Sequence, residues 1–253
     1  MSVVIPEQED IAKILTRVFE AYTGSNCVIR PHFLLSGESG TGKSHLISMI
    51  AKKHNIEMLE INAASLTKEG VSGNSLSKAM SGLLNMKTSN GVVIFVDEFD
   101  KLFTNGASSG THEALSGVQN EFLTMLEKDT ASVFGDYGKY INVNVGKALF
   151  VFAGAFNGED NLTHERLREL GLRTEFLGRV SLQFSTKRIS LESLLELVEH
   201  NILLQEYVKV FKPSNKKKVI NDIKSQITDE YKKNEIGVRV VNQIVHQYFL
   251  QSK

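Results

Sequence analysis

The sequence predicts an α/β fold: a parallel sheet with flanking helices, followed by a small C-terminal helical subdomain. Three observations carry that reading. Short apolar runs alternate with stretches of helical periodicity through the first 186 residues. A glycine-rich turn joins one such run to the helical stretch behind it. Beyond Phe184 only helical periodicity is left. Strand–helix–strand order calls for parallel pairing with both sheet faces covered, since each crossover needs its own covering element. We therefore divide the chain into a large α/β domain, 1–186, and a small helical domain, 187–253.

Each element has its own warrant. Within residues 7–22, Ile11, Ile14, Leu15, Val18 and Phe19 recur at helical spacing. Phe33–Ser36, Met58–Ile61, Val92–Asp97 and Ala148–Ala153 are short apolar runs bounded by polar residues or glycine, and read as buried strands. Helices fall near 44–54, 75–86 and 112–128, the last with Leu115, Val118, Phe122, Met125 and Leu126 on one face. In the tail, Leu191, Leu194, Leu195 and Val198 form one helical stripe, Val219, Ile223 and Ile227 a second, and Val240, Val241, Ile244, Val245 and Tyr248 a third. Pro213 interrupts between the first two. Asn105–Gly110 is a loop flexible by composition, and Glu69–Asn74 carries two glycines flanking a small apolar tip.

Composition narrows the function classes. The 253 residues hold 29 basic and 29 acidic side chains, so no global field draws the protein to nucleic acid or to acidic lipid. Lys216-Lys217-Lys218 reads as a solvated helix start, and Lys52-Lys53-His54 is the other basic cluster. A single cysteine, Cys27, rules out internal disulfides and cysteine-cluster zinc sites and fits a reducing compartment. The N-terminal residues lack a signal-peptide core, and no apolar run reaches membrane-spanning length. The expectation is a soluble, cytoplasmic protein.

Chemistry enters with Gly37-Glu38-Ser39-Gly40-Thr41-Gly42-Lys43-Ser44, which matches G-x-x-x-x-G-K-[ST] between an apolar strand and a helix whose next residues are His45 and Leu46. Glycines let the backbone curl so that its N–H groups point inward and cradle phosphate oxygens. The helix N-terminus adds positive dipole. Lys43 reaches the β- and γ-phosphates, and the Ser44 hydroxyl ligates Mg²⁺. The pattern is that of a P-loop nucleoside triphosphatase binding ATP with Mg²⁺.

A second half-site lies 54 residues beyond Lys43, where Val92-Val93-Ile94-Phe95-Val96 ends in Asp97-Glu98. Strand side chains alternate, so the two carboxylates point in different directions. One holds Mg²⁺ and the other polarises the attacking water; we assign Asp97 to the metal and Glu98 to the water.

Val96-Asp97-Glu98-Phe99-Asp100-Lys101-Leu102 resembles the segment after the second ATP motif in AAA+ unfoldases of the ClpX/HslU type. The likeness continues in Gly117-Val118-Gln119 with Met125-Leu126-Glu127, similar to the helix after the second pore loop. Leu149–Phe156 is similar to the next strand and sensor region, Gly171–Arg179 to the arginine-finger segment, and Gly237-Val238-Arg239-Val240-Val241 to the sensor-2 helix. These segments cover nearly the whole chain. The resemblance implies an ATPase ring, hexameric in the family, acting on a protein client or effector. It makes Arg179 the finger that reaches a neighbouring subunit's γ-phosphate and Arg239 a contact to nucleotide from the small domain. Asn157 is the nearest polar side chain for sensor 1. Val4 and Ile5 resemble the adenine-contacting stretch and serve equally as core.

Three departures qualify the likeness. The chain starts at the ATPase module, without the cysteines of the zinc-binding domain that precedes it in ClpX. Asn157-Gly158-Glu159-Asp160 runs almost directly into Leu170–Arg179, leaving no room for the Ile-Gly-Phe loop that docks a ClpP-type peptidase. Between the glycines of the first pore loop stands Val71, where the family has an aromatic residue. Valine offers a threaded polypeptide less apolar contact than Tyr or Phe. Two readings of function remain beside a threading remodeller: an ATP-dependent scaffold or switch that recruits an effector, and a nucleic-acid motor, which the balanced charge argues against.

Overall fold

The computed structural model describes residues 5–67, 74–103, 109–135, 138–159, 162–233 and 237–251. Val4, the loop tip with Gly70, Val71 and Gly73, residues 105–108 of the second loop, and Asp160 lie outside the described residues. Packing divides the chain into two compact units. One comprises Asp10–Glu38 and Lys43–Ser185; the other comprises the segment ending at Glu9, Ser39–Gly42 and Thr186 onward.

The first unit is built on five parallel strands: β1 (Phe33–Ser36), β2 (Glu57–Asn62), β5 (Val92–Asp97), β8 (Ala148–Gly154) and β9 (Leu182–Ser185), in the order β2-β5-β8-β1-β9. Register brings the carboxyl ends into line: Ser36 pairs with Gly154 and with Ser185, Asn62 with Asp97, and Val96 with Phe152. Alternation sends successive side chains to opposite faces. Phe33, Leu35, Val93, Phe95, Leu149 and Val151 join one core with helices α1 (Glu9–Gly24) and α2 (Lys43–Lys53). Leu34, Ile94, Val96, Phe150 and Phe152 join the other, with α4 (Ser109–Glu127), α5 (His164–Glu169) and α6 (Thr174–Arg179). Helices on both faces of a parallel sheet are the expected α/β arrangement.

Some features differ from the periodicity reading. The stretch 75–86 is one turn of helix, α3 (Leu76–Ala79), running into a 3-10 segment over Met80–Asn85. Ser109 and Gly110, read as loop, already belong to α4. Two small sheets were not expected: the two-residue strands β3 (Leu66–Thr67) and β4 (Asn74–Ser75), and an antiparallel hairpin of β6 (Thr130–Phe134) with β7 (Tyr140–Asn144).

In the second unit, α7 (Leu191–Glu199), α8 (Ile202–Phe211), α9 (Lys216–Lys233) and α10 (Val238–Gln251) enclose a core of Leu194, Val198, Leu204, Val219, Ile223, Ile227, Val241, Ile244 and Val245. Ser190 and Asn201 cap α7 and α8 by accepting from Ser193 and Leu204 amides. Lys212 closes α8 in the left-handed conformation immediately before Pro213. Lys216, Lys217 and Lys218 open α9 and are exposed. Among the described residues no helix is long and apolar enough to cross a membrane.

Candidate functional site

The glycine-rich loop leaves the buried end of β1 and delivers Lys43 as the first residue of α2. Gly37, Gly40 and Gly42 take φ of 146°, 83° and 87°, conformations that side chains resist and that curl the loop. Lys43 is nine-tenths buried, and its Nζ donates to the carbonyls of Gly37 (2.5 Å) and Glu38 (3.0 Å). A buried cation solvated by loop carbonyls is poised to exchange them for phosphate oxygens. Ser44 is half-buried in the first turn of α2, while Ser39 and His45 are exposed. The hydroxyl of Ser36, at the foot of the loop, bonds that of Ser185 at 2.7 Å.

Within the second unit the loop tip has its own partners. Thr41 is buried, and its hydroxyl meets that of Thr186 at 2.8 Å. Gln8 Nε2 donates to the Thr41 carbonyl at 3.1 Å, and the Val238 amide to that of Gly40 at 3.1 Å.

Asp97 ends β5 and Glu98 follows it; β5 lies next to β8, which in turn pairs with β1. Their surroundings differ. Asp97 is half-buried and its Oδ1 accepts the Glu98 amide at 2.9 Å; Glu98 is exposed and holds φ at 54°, the left-handed region. That turn ends the strand and separates the two carboxylates. Ser44 and Asp97 offer hard oxygen donors of the kind Mg²⁺ takes alongside phosphates, so the side chains present fit that ion.

Past β8 the turn at Ala155 is held by an acid from the segment after Asp97. Asp100 is buried, and its Oδ1 accepts the Ala155 amide at 3.3 Å, while Lys101 stands 3.5 Å from its Oδ2. An acid inside the apolar run Phe99–Phe103 was the available signal. Asn157 is exposed with φ 57° and follows the buried Phe156. Farther on, Arg166 grips Glu159 through two bonds of 2.6 Å and Glu169 through one of 2.8 Å, and its guanidinium holds the Glu159 carboxyl below the usual carboxylate range.

Arg179 is the last residue of α6. Its Nη2 lies 2.5 Å from Oε1 of Glu127 at the end of α4, and both side chains are roughly half exposed. The helix is anchored by Phe176, whose ring stacks on Phe99 (5.1 Å) and meets Phe152 edge-on (4.9 Å). One aromatic cluster thus joins the segment after Asp97, the β8 strand and the helix bearing Arg179. Arg239, one residue past Val238 at the start of α10, is exposed. Ile5 is half-buried against the core of the second unit.

A nucleotide-phosphate loop after the first strand and a pair of acids two strands away, on a five-stranded parallel sheet, define a P-loop ATPase. Residues 33–176 match the ATPase family associated with various cellular activities (AAA), more than half of the chain, and the chain belongs to that family. It is an ATPase of the ClpX-like kind. The ATP-dependent Clp protease ATP-binding subunit ClpX of Bacteroides thetaiotaomicron is 24% identical over 276 residues, covering 90% of this chain and 67% of its own length. ClpX of Borrelia duttonii is 25% identical over 264 residues, covering 82% of this chain and 61% of its own length. ClpX 2 of Wolinella succinogenes is 26% identical over 239 residues, covering 79% and 58%. The chain therefore spans about three fifths to two thirds of the length of these relatives.

Proposed function

We propose that this chain hydrolyses Mg·ATP within an oligomeric ring and uses the cycle to remodel, displace or unfold a protein partner. The observation that supports this best is the placement of Lys43 and of the Asp97–Glu98 pair at the carboxyl ends of strands in one parallel sheet. Lys43 and the loop amides hold the phosphates. Ser44 and Asp97 hold Mg²⁺, which when bound neutralises charge on the phosphates. Glu98 orients and deprotonates the water that attacks the γ-phosphorus, and the bond to the β-phosphate oxygen breaks. Arg179 of a neighbouring copy supplies the positive charge that the transition state needs, and Arg239 contacts the nucleotide from the helical domain. Force on the client comes from the loop bearing Val71. Capture tests the reading. Glu98→Gln should bind ATP without hydrolysing it and retain a client during pull-down, whereas the wild type releases it. A Glu98→Gln protein that still hydrolyses ATP at the wild-type rate would remove Glu98 from the reaction.

One observation favours a second reading, an ATP-dependent scaffold or switch: Val71 offers little grip where the family has an aromatic residue. Under that reading Val71→Glu leaves the activity on the partner unchanged, and ATP-dependent assembly, followed by light scattering, is what the cycle controls.

A further inference from the structure

Gln8 carries an amide in a place where an apolar side chain would cost less. It is 3% exposed, and its Nε2 donates to two carbonyls, Thr41 at 3.1 Å and Lys187 at 2.9 Å. Two carbonyl partners fix which way the amide faces. Among the described residues its buried Oε1 has no partner, an uncompensated desolvation. A side chain that donates in two directions is what the position requires.

Gly237 reaches the same loop tip from another segment. A Cβ there would stand 2.6 Å from the Cα, C and O atoms of Gly40, backbone atoms that cannot swing aside. Only a glycine lets the start of α10 come close enough for the Val238 amide to donate to the Gly40 carbonyl at 3.1 Å.

The geometry of the peptide unit gives these contacts a consequence. In a trans peptide the C=O and the following N–H point in opposite directions. A Gly40 carbonyl held by Val238 therefore turns the Thr41 N–H the other way, and a Thr41 carbonyl held by Gln8 does the same for the Gly42 N–H. We infer that Gln8 and Gly237 are positioning residues: without touching nucleotide, they hold the loop-tip amides in the orientation that receives phosphate. The inference rests on the reading of Gly37–Ser44 as the phosphate cradle.

The test uses the full chain, a fluorescent ADP for equilibrium binding, and steady-state ATP hydrolysis. Gln8→Met keeps the volume and removes both donors; it should weaken ADP up to about tenfold, the most expected from losing the one ordinary hydrogen bond that reaches the loop, to the Thr41 carbonyl. Gly237→Ala acts through a different segment and should weaken ADP to a similar extent, about tenfold. In both variants KM for ATP should rise with the ADP dissociation constant while kcat at saturation stays within about twofold, a split that loss of structural integrity does not produce. Gln8→Lys can donate again to the same carbonyls and should recover most of the affinity. Ser193→Ala is the control. It removes a bond to Glu7 in the same unit without touching the loop, and should bind ADP as the wild type does. Wild-type affinity in a folded Gln8→Met or Gly237→Ala overturns the inference, as does an equal loss in Ser193→Ala. Lys43→Ala separates the two levels. If it binds ADP as tightly as the wild type, the cradle reading itself fails; if it does not, and only the Gln8 and Gly237 variants are silent, the cradle stands and the positioning roles fall.

Discussion

His32 shows how a single buried side chain can set a pH limit on the fold. It precedes β1 and its Nδ1 accepts the Phe150 amide at 3.1 Å, with the Phe150 ring edge-on at 5.5 Å. Burial, and secondarily the nearby Arg30 charge, push its pKa down from 6.5 to about 4. The folded protein therefore keeps His32 neutral where the unfolded chain binds a proton, so stability rises with pH between about 4 and 6.5 and is lost as pH falls through that window. Lowering the pH from 7 to 5 should remove roughly 2 kcal/mol through this residue alone. Urea unfolding at both pH values measures it. His32→Gln retains an acceptor for the Phe150 amide but does not titrate, so its stability should fall by about 2 kcal/mol less over the same interval. An identical fall in the two proteins would assign the acid sensitivity elsewhere. Lys43 illustrates the opposite solution to burial. At 9% exposure its Nζ donates to the Gly37 and Glu38 carbonyls, so its polar end is not left bare inside the fold.

At the scale of elements, α6 is six residues long and depends on its anchor. Phe176 is fully buried and touches both Phe99 and Phe152, so truncation leaves a cavity where three aromatic rings meet. Phe176→Ala should cost roughly 3–5 kcal/mol in urea unfolding, and Phe176→Leu appreciably less. A cost below about 1 kcal/mol would mean that the cluster does not hold α6 in place. What the sequence made legible follows the same logic of burial. β1, β5 and β8 announced themselves because both faces are covered, which makes each a continuous apolar run. β9 did not, since Leu182 is 38% exposed and Gln183 breaks the run. The hairpin escaped because β6 buries only Ala131 and Val133, and β7 is largely exposed. Helix α8 was hidden for a related reason: Ile202, Val210 and Phe211 are exposed and blur the stripe by which Leu203, Leu204, Tyr207 and Val208 meet the core. The site divides likewise. Loop and acids were readable because their chemistry demands particular residues at particular spacing. The contacts that Asp100, Glu127 and Gln8 make join segments far apart in the chain, and no local pattern announces them.

At the scale of the whole molecule, the decisive question is whether one copy completes another's site. Arg179 is paired with Glu127 in its own chain, and the pair is half exposed. Such an ion pair contributes little to stability, about 0–1 kcal/mol, so a stronger anionic partner can draw the guanidinium away. A phosphate on an adjacent copy is such a partner. If the contact repeats head to tail around a closed ring, every site is completed by the next subunit and none by its own. Two inactive variants then become informative together. Lys43→Ala lacks a working nucleotide loop but keeps its finger; Arg179→Ala keeps the loop but should lose roughly 10³–10⁵ in rate for want of the finger. Mixed in equal amounts, random assembly places an Arg179→Ala site beside a Lys43→Ala finger at about one contact in four. ATP hydrolysis should accordingly recover to the order of a quarter of the wild-type rate, and vary with the mixing ratio as the product of the two fractions. Hydrolysis that stays at the sum of the two separate variants, in mixtures shown by light scattering and subunit exchange to co-assemble, would place Arg179 outside its neighbour's site. Each chain would then have to stabilise the transition state with its own groups.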